Sequence, residues 1–192
     1  ADPAGDLESD HFLSLDFETP HTRWAKPYAA GKVRALFFTA WDYDSTYTRE
    51  IIELMQRFDL EADAAYHVSN ERLFGDDRPN RFGDEQAGTK RVLRLLEEPR
   101  DVYFLNHVSF AVLPEEVQIR LRANIAAGAG VVVVGEADSA LFSGAQAIEA
   151  RPTGMCAGSF YTLGAGRGAL LPPRERLEYK VGWETAFDYQ ME

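Results

Sequence analysis

The sequence predicts an α/β domain in which an open, mostly parallel sheet carries helices on both faces. Two observations predict it. From Lys32 to Glu136, short β-rich apolar runs alternate with amphipathic helical segments in the order β-α-β-α-β-α-β. Two of those runs are built mainly of apolar β-formers, "VRALFFTAW" along most of its length and "VVVVGE" in its four valines, as strands buried on both faces are.

Each element has its own local signal. Residues 33–41 form the first strand. "STYTREIIELMQRFDL" (45–60) places Ile51, Ile52, Leu54, Met55 and Phe58 at helical spacing, with Ser45 or Thr46 as cap and Arg49 and Glu50 in the first turn. "ADAAYHV" (62–68) is the second strand. "TKRVLRLLEE" (89–98) reads as a helix ended by Pro99. "DVYFLNHV" (101–108) is the third strand. "PEEVQIRLRANIAAGAG" (114–130) is the clearest helix: Pro114 sits in its first turn, two glutamates favour its positive end, and Gly128 suits its C-cap. "VVVVGE" (131–136) is the fourth strand, buried on both faces by its pattern. Beyond it, 159–172 and 177–190 lack a helical period and read as strands and turns, a β-rich C-terminal segment that extends the sheet or forms an antiparallel flap.

The chain has 192 residues, 45% hydrophobic and 27% charged, which suits one domain with a proper core. Residues 32–192 form that domain, and 1–31 an N-terminal arm anchored by Trp24 and Tyr28. The formal net charge of −11 repels phosphate backbones and anionic lipid, so neither nucleic acid nor a membrane surface is expected as a partner. No apolar run reaches the length of a spanning helix. "ADPAGDLESD" is not a signal peptide. The expectation leans to a secreted or extracytoplasmic chain with that peptide removed, although "ADP" reads equally as a vector scar.

"DVYFLNHVSFAVLPEEVQIRLRANIAAGAGVVVVGE" resembles the core of the class I glutamine amidotransferase-like fold. It is most similar to the branch found in the trimerisation-type domain of β-galactosidases and in ThuA-like proteins. "GAGRGALLP" resembles the "GKGR" hairpin of such domains, and "TPHTRWAKPYAAGKVRALF" the lead-in of large bacterial proteins that begin with this fold. The resemblance covers roughly residues 20–190. It implies oligomerisation, assembly with neighbouring domains, or a carbohydrate ligand, since fold alone does not fix chemistry.

Gly154-Met155-Cys156-Ala157-Gly158 spells the nucleophile elbow of cysteine amidotransferases and holds the chain's one cysteine. An elbow needs a buried strand before the nucleophile and a helix after it. "ARPTG" precedes Cys156, and strand-like "AGSFYTLG" follows it. In the resembled family the nucleophile would follow the fourth strand, at Glu136 or Ala137, where no thiol stands. The family's base follows its cysteine, yet His11, His21, His67 and His107 all precede Cys156. A thiol amidotransferase is therefore not expected, and no catalytic residue is assigned.

Open α/β sheets bind ligands at the carboxyl ends of their strands, near the point where strand order reverses. In a flavodoxin-like order the first and third strands flank that point. Their ends carry Trp41, Asp42, Asp44, Asn106 and His107, and the fourth strand's end adds Glu136 and Asp138. Aromatic faces, carboxylates, an amide and an imidazole suit a sugar or another polyol. Carboxylates about 5 to 9 Å apart can also perform glycosidic acid–base chemistry, which keeps a carbohydrate hydrolase as the alternative. The same carboxylates can offer oxygens to a hard cation, but no calcium-loop spacing is present and no metal is expected. No cofactor is expected either. "GAGRG" (164–168) leads to Pro172-Pro173 and not to the helix that a dinucleotide loop requires. It reads as a hairpin turn. The long segment 69–88, with arginines, carboxylates, Phe74 and Phe82, reads as a lid over the carboxyl edge, an oligomer contact or a surface excursion.

Overall fold

The structure is a computed structural model that describes residues 32–41, 48–68, 85–136, 138–149 and 158–172. In chain order the elements are β1 (Val33–Trp41), α1 (Thr48–Arg57), β2 (Leu60–Val68), α2 (Glu85–Glu97), β3 (Val102–Asn106), α3 (Glu115–Ala126), β4 (Gly130–Val134), β5 (Gln146–Ala147), β6 (Ser159–Leu163) and β7 (Gly166–Leu171). Single 3-10 turns at Phe110–Val112 and Ala140–Phe142 follow β3 and β4.

The strands form one mixed sheet in the order β2-β1-β3-β4-β7-β6-β5. The pairs β1–β2, β1–β3, β3–β4 and β4–β7 are parallel, while β6 pairs antiparallel with β5 and β7. The protein is thus α/β with a mostly parallel sheet. β1 carries apolar side chains on both faces because it packs on both, with Arg34 and Thr39 as its polar positions. Leu36, Phe38 and Ala40 point into one cluster with Val92 and Leu96 of α2 and Leu121 and Ile125 of α3. Ala35 and Phe37 point the other way, with Ile51 of α1. On that side Phe37 stacks on Phe104 of β3, ring centroids 4.4 Å apart, an arrangement contributing about 0.5–1.5 kcal/mol beyond area burial.

α3 lies on the sheet because Val117, Leu121 and Ile125 recur every fourth residue, making one apolar stripe, and all three are fully buried. Replacing Leu121 by alanine removes about 2–5 kcal/mol. A polar tie fixes its register: Asn124 Nδ2 donates to Leu96 O and lies 2.8 Å from Tyr103 Oη, joining α3 to α2 and β3. At the amino edge of the sheet, the buried Arg100 guanidinium pairs with Asp63 at 2.7 Å and Glu98 at 2.6 Å. Only the arginine of these pairs is buried; Asp63 and Glu98 are 41% and 61% exposed, so the carboxylates keep water while they compensate the buried charge.

Several boundaries differ from the sequence reading. β2 starts at Leu60 and α2 at Glu85, so the segment 69–88 already contains a helical turn at its end. Pro114 is the N-cap of α3, with φ −52° and ψ 141°, and lies just outside the first turn. β4 is not buried on both faces. Val131 and Val133 are buried among α2 and α3, while Val132 and Val134 on the α1 side are half-exposed. Apolar composition cannot distinguish a covered face from a half-covered one. Segment 159–172 forms the expected strands, β7 extending the parallel sheet and β6 running back beside it. The arm at 1–31, its anchors, and the strands expected at 177–190 lie outside the described residues. No helix among the described residues is long and apolar enough to cross a membrane.

Candidate functional site

The parallel register brings three strand ends together. Thr39 of β1 pairs with Asn106 of β3, and Asn106 with Val134 of β4. Thr39 and Asn106 therefore share the α1 side of the sheet, and both are buried, at 0% and 4% exposure. Trp41 ends β1 opposite Val68. Asp42 and Asp44 lie outside the described residues. The structure does bring Asn106, His107, Glu136 and Asp138 to the ends of two adjacent strands.

The turn after β3 is unusual. His107 adopts φ +56°, and it is the one non-glycine residue with positive φ among those described. Its backbone N–H donates to Val134 O at 3.0 Å, extending the β3–β4 ladder by one bond. Its ring lies against the Cα of Gly135, so close that a Cβ there would overlap Nδ1 and Cε1. Gly135 itself has φ +84° and donates its N–H to Leu171 O of β7 at 3.0 Å. Both residues adopt the left-handed region, which histidine enters more readily than branched residues do and glycine enters without strain.

Past Gly135, the Glu136 carboxyl sits between the turns that leave β3 and β4. Burial is the largest influence on it and pushes its pKa up; the Ser109 and Ser139 hydroxyls pull it down and Asp138 pushes it up. Ser139 Oγ and Glu136 Oε2 are nonetheless buried with no completed hydrogen bond, so the serine acts on the carboxyl at longer range than a bond. Asp138 is exposed and accepts the backbone N–H of Ser139 at 2.7 Å. Arg122 of α3 holds both turns in place. It donates to Ala140 O at 2.7 Å and Leu141 O at 3.2 Å, and its guanidinium lies 4.6 Å from the Phe110 ring centroid.

The chemistry this edge can perform is limited by its groups. The turn after β4 leads through Ser139 into a 3-10 turn, not an α-helix, so neither Glu136 nor its neighbours sit on an elbow with a helix behind it. Cys156 lies outside the described residues, and the chain after it runs into β6, a strand. Among the described residues no group of three or more His, Cys, Asp or Glu converges as a metal would need. "GAGRG" is the β6–β7 hairpin, with Gly164 at φ +64°, and no helix follows it that could face a phosphate. Gly166 packs against the carbonyls of Ile125 and Ala129 at the end of α3, which gives that glycine a packing role.

Comparison with protein-family models, with curated proteins and with solved structures finds no match for this chain. The site is therefore read from its own residues. Sequence reasoning placed Asn106, His107, Glu136 and Asp138 in the ligand set but left out Thr39, Ser109, Gly135, Ser139 and Arg122, although Gly135 and Ser139 stand in the stretch where the resembled family's nucleophile would be. Ser109 and Ser139 were findable, since each stands within three residues of a named strand end. Arg122 was not, because its targets are backbone carbonyls some twenty residues further on.

Proposed function

We propose that this chain is a non-catalytic, amidotransferase-like contact domain of a carbohydrate-related protein, acting in oligomerisation, domain assembly or ligand contact. The scaffold reading behind it is flavodoxin-like, supported by the strand order β2-β1-β3-β4-β7. One observation carries the proposal. The position after β4, where the resembled enzymes present a thiol, holds Gly135 and then a half-buried carboxyl between two serines. A carboxyl in that place accepts hydrogen bonds well and attacks acyl groups poorly compared with a thiolate. Sedimentation velocity and a glutaminase assay test the proposal together. Self-association or binding of the remainder of its gene product is expected, with no glutamine hydrolysis in native protein or in Cys156→Ala. A strict monomer that binds no neighbouring domain, or glutaminase activity lost in Cys156→Ala, overturns it.

The alternative is a hydrolase acting on a carbohydrate-like substrate through these carboxyls. It is favoured by the burial of Glu136, which keeps a proton on that group to higher pH, as a general acid requires. Turnover of a glycoside or ester that disappears in Glu136→Gln establishes this reading, and inert native protein removes it.

A further inference from the structure

The two edges of the sheet are built differently. One ends in β5, which is two residues long, Gln146–Ala147. A strand that short offers little backbone to a neighbour, and short edge strands are one way in which proteins prevent pairing between sheets. The other edge is β2, nine residues from Leu60 to Val68, paired with β1 alone among the described strands. β2 holds no proline, glycine or lysine. Its carboxylates, Glu61 and Asp63, stand in its first half, and Asp63 is engaged by Arg100 at 2.7 Å. The remainder, "AAYHV", carries no carboxylate, lysine or arginine that would keep a second strand away.

The flank of α1 next to this edge is apolar. Ile51 lies against the sheet, in one cluster with Ala35 and Phe37 of β1. α1 connects β1 to β2, and such crossovers are right-handed. A step of about 100° per residue then turns Ile52 and Met55 toward the β2 side and Leu54 toward β3. Leu54 accordingly packs in the cluster that holds Val102 and Phe104 of β3. Ile52 and Met55 are 45% and 43% exposed. Tyr66 alternates along β2 with Ala62 and Ala64, which pack in the same cluster as Ile51, and it is 38% exposed. Three of the five large apolar side chains exposed among the described residues therefore border one strand.

A second copy of the chain fits this edge. Two β2 strands related by a two-fold axis run antiparallel, and such an isologous contact presents one patch to itself. With the axis at Ala64, Glu61 meets His67, Asp63 meets Ala65 and Tyr66 meets Ala62. No two carboxylates stand opposite, which matters for a chain of net charge −11. α1 sits over β1 and β2, about 5 Å from such an axis. The two α1 helices then lie about 10 Å apart, the spacing of packed helices. The strand is roughly 30 Å long, and the sheet with its helix layer about 20 Å deep. The contact covers about 600 Å² on each copy, or about 1,200 Å² in total, where stable interfaces begin.

We propose that the chain forms a two-fold dimer in which the β2 strands pair antiparallel and the α1 helices meet through Ile52 and Met55. One sheet then runs through both copies. This rests on the self-association part of the contact-domain reading and names its surface and its partner.

Sedimentation of the full chain and its variants over a range of concentrations tests it. A dimer is expected, with its dissociation constant raised at least tenfold in Ile52→Lys/Met55→Lys and in Tyr66→Arg. Ile119→Lys, at a more exposed position on α3, leaves it unchanged. Where a charged variant fails to fold, cross-linking replaces it: in a Cys156→Ala background, oxidised Ala64→Cys gives a disulfide-linked dimer, because the two positions face each other across the axis. A dimer unaffected by the charged variants, or one that Ala64→Cys does not cross-link, overturns the proposal and leaves the contact-domain reading standing. A monomer that binds a neighbouring domain does the same. A strict monomer that binds none overturns both.

Discussion

The imidazole of His107 occupies the space that a side-chain carbon on Gly135 would need. Two adjacent strand ends thus turn in a left-handed conformation at the same level, each shaped around the other. Gly135→Ala is expected to cost about 1–3 kcal/mol, part from positive φ and part from displacing the ring. Adding His107→Ala removes the second part only. Chemical denaturation of the two single variants and the double variant should show a coupling of at least about 0.5 kcal/mol. Additive losses would mean that the ring yields freely.

Arg122 ties the turns after β3 and β4 to one helix through two carbonyls and an aromatic face. Arg122→Ala is expected to destabilise by about 1–2 kcal/mol and to raise amide exchange at Ser139–Phe142 above the global rate. Arg122→Lys recovers little, because an ammonium cannot reach two carbonyls in a fixed fork. Hydrogen exchange resolved by residue checks this, and unchanged protection of that turn refutes it.

Gly166 and Gly128 separate two reasons for glycine. A Cβ on Gly166 would overlap the carbonyl oxygens of Ile125 and Ala129, which are backbone and cannot swing away. At Gly128 the space is open but φ is +130°. Gly166→Ala should therefore cost about 2–4 kcal/mol and Gly128→Ala about 1–2 kcal/mol. Thermal melts rank the pair, and a reversed order would show that the hairpin shifts outward at little cost.

His67, buried on β2, has its pKa lowered to about 4 by burial. The folded state then keeps the ring neutral while the unfolded chain takes a proton near pH 6.5. Stability from this group is full above pH 6.5 and is lost as pH falls toward 4. After allowance for partial hydration, the loss is roughly 2 kcal/mol. The difference in unfolding free energy between wild type and His67→Gln, measured at pH 7 and pH 4.5, isolates it. A difference independent of pH would show that the ring is already charged in the fold.

Glu136 carries the opposite sign. Its folded pKa is raised, so its contribution is present below the unfolded carboxyl value and is lost as pH rises through the folded one. Glu136→Gln is expected to raise the melting temperature at pH 7 and leave it near wild type at pH 4. A lower melting temperature at both pH values would show that the ionised carboxyl holds the turns together.

Much of the fold was legible because periodicity reports burial directly. The run "VRALFFTAW" announced a strand covered on both sides, and Val117, Leu121 and Ile125 a helix with one apolar stripe. "VVVV" misled on one point, since valine suits a half-covered face as well as a covered one. The start of α2 at Glu85 was hidden by Gly88, which reads as a break when seen alone. At the site, residue chemistry pointed to Asn106, His107, Glu136 and Asp138. It could not show that Thr39 and Asn106 share one face, because that follows from register between strands separated by two helices. Nor could it find the fit between His107 and Gly135, where the decisive atom is one that glycine lacks.

β4 is an interior strand only because β7, made much later in the chain, pairs with its outer side. On the ribosome, "GVVVV" is therefore a bare edge until Gly166–Leu171 has emerged. An unpaired valine-rich edge is a template for other growing chains. The hairpin that completes the sheet also ends this exposure, so variants that delay its docking are expected to lower soluble yield before they lower the stability of whatever protein does fold.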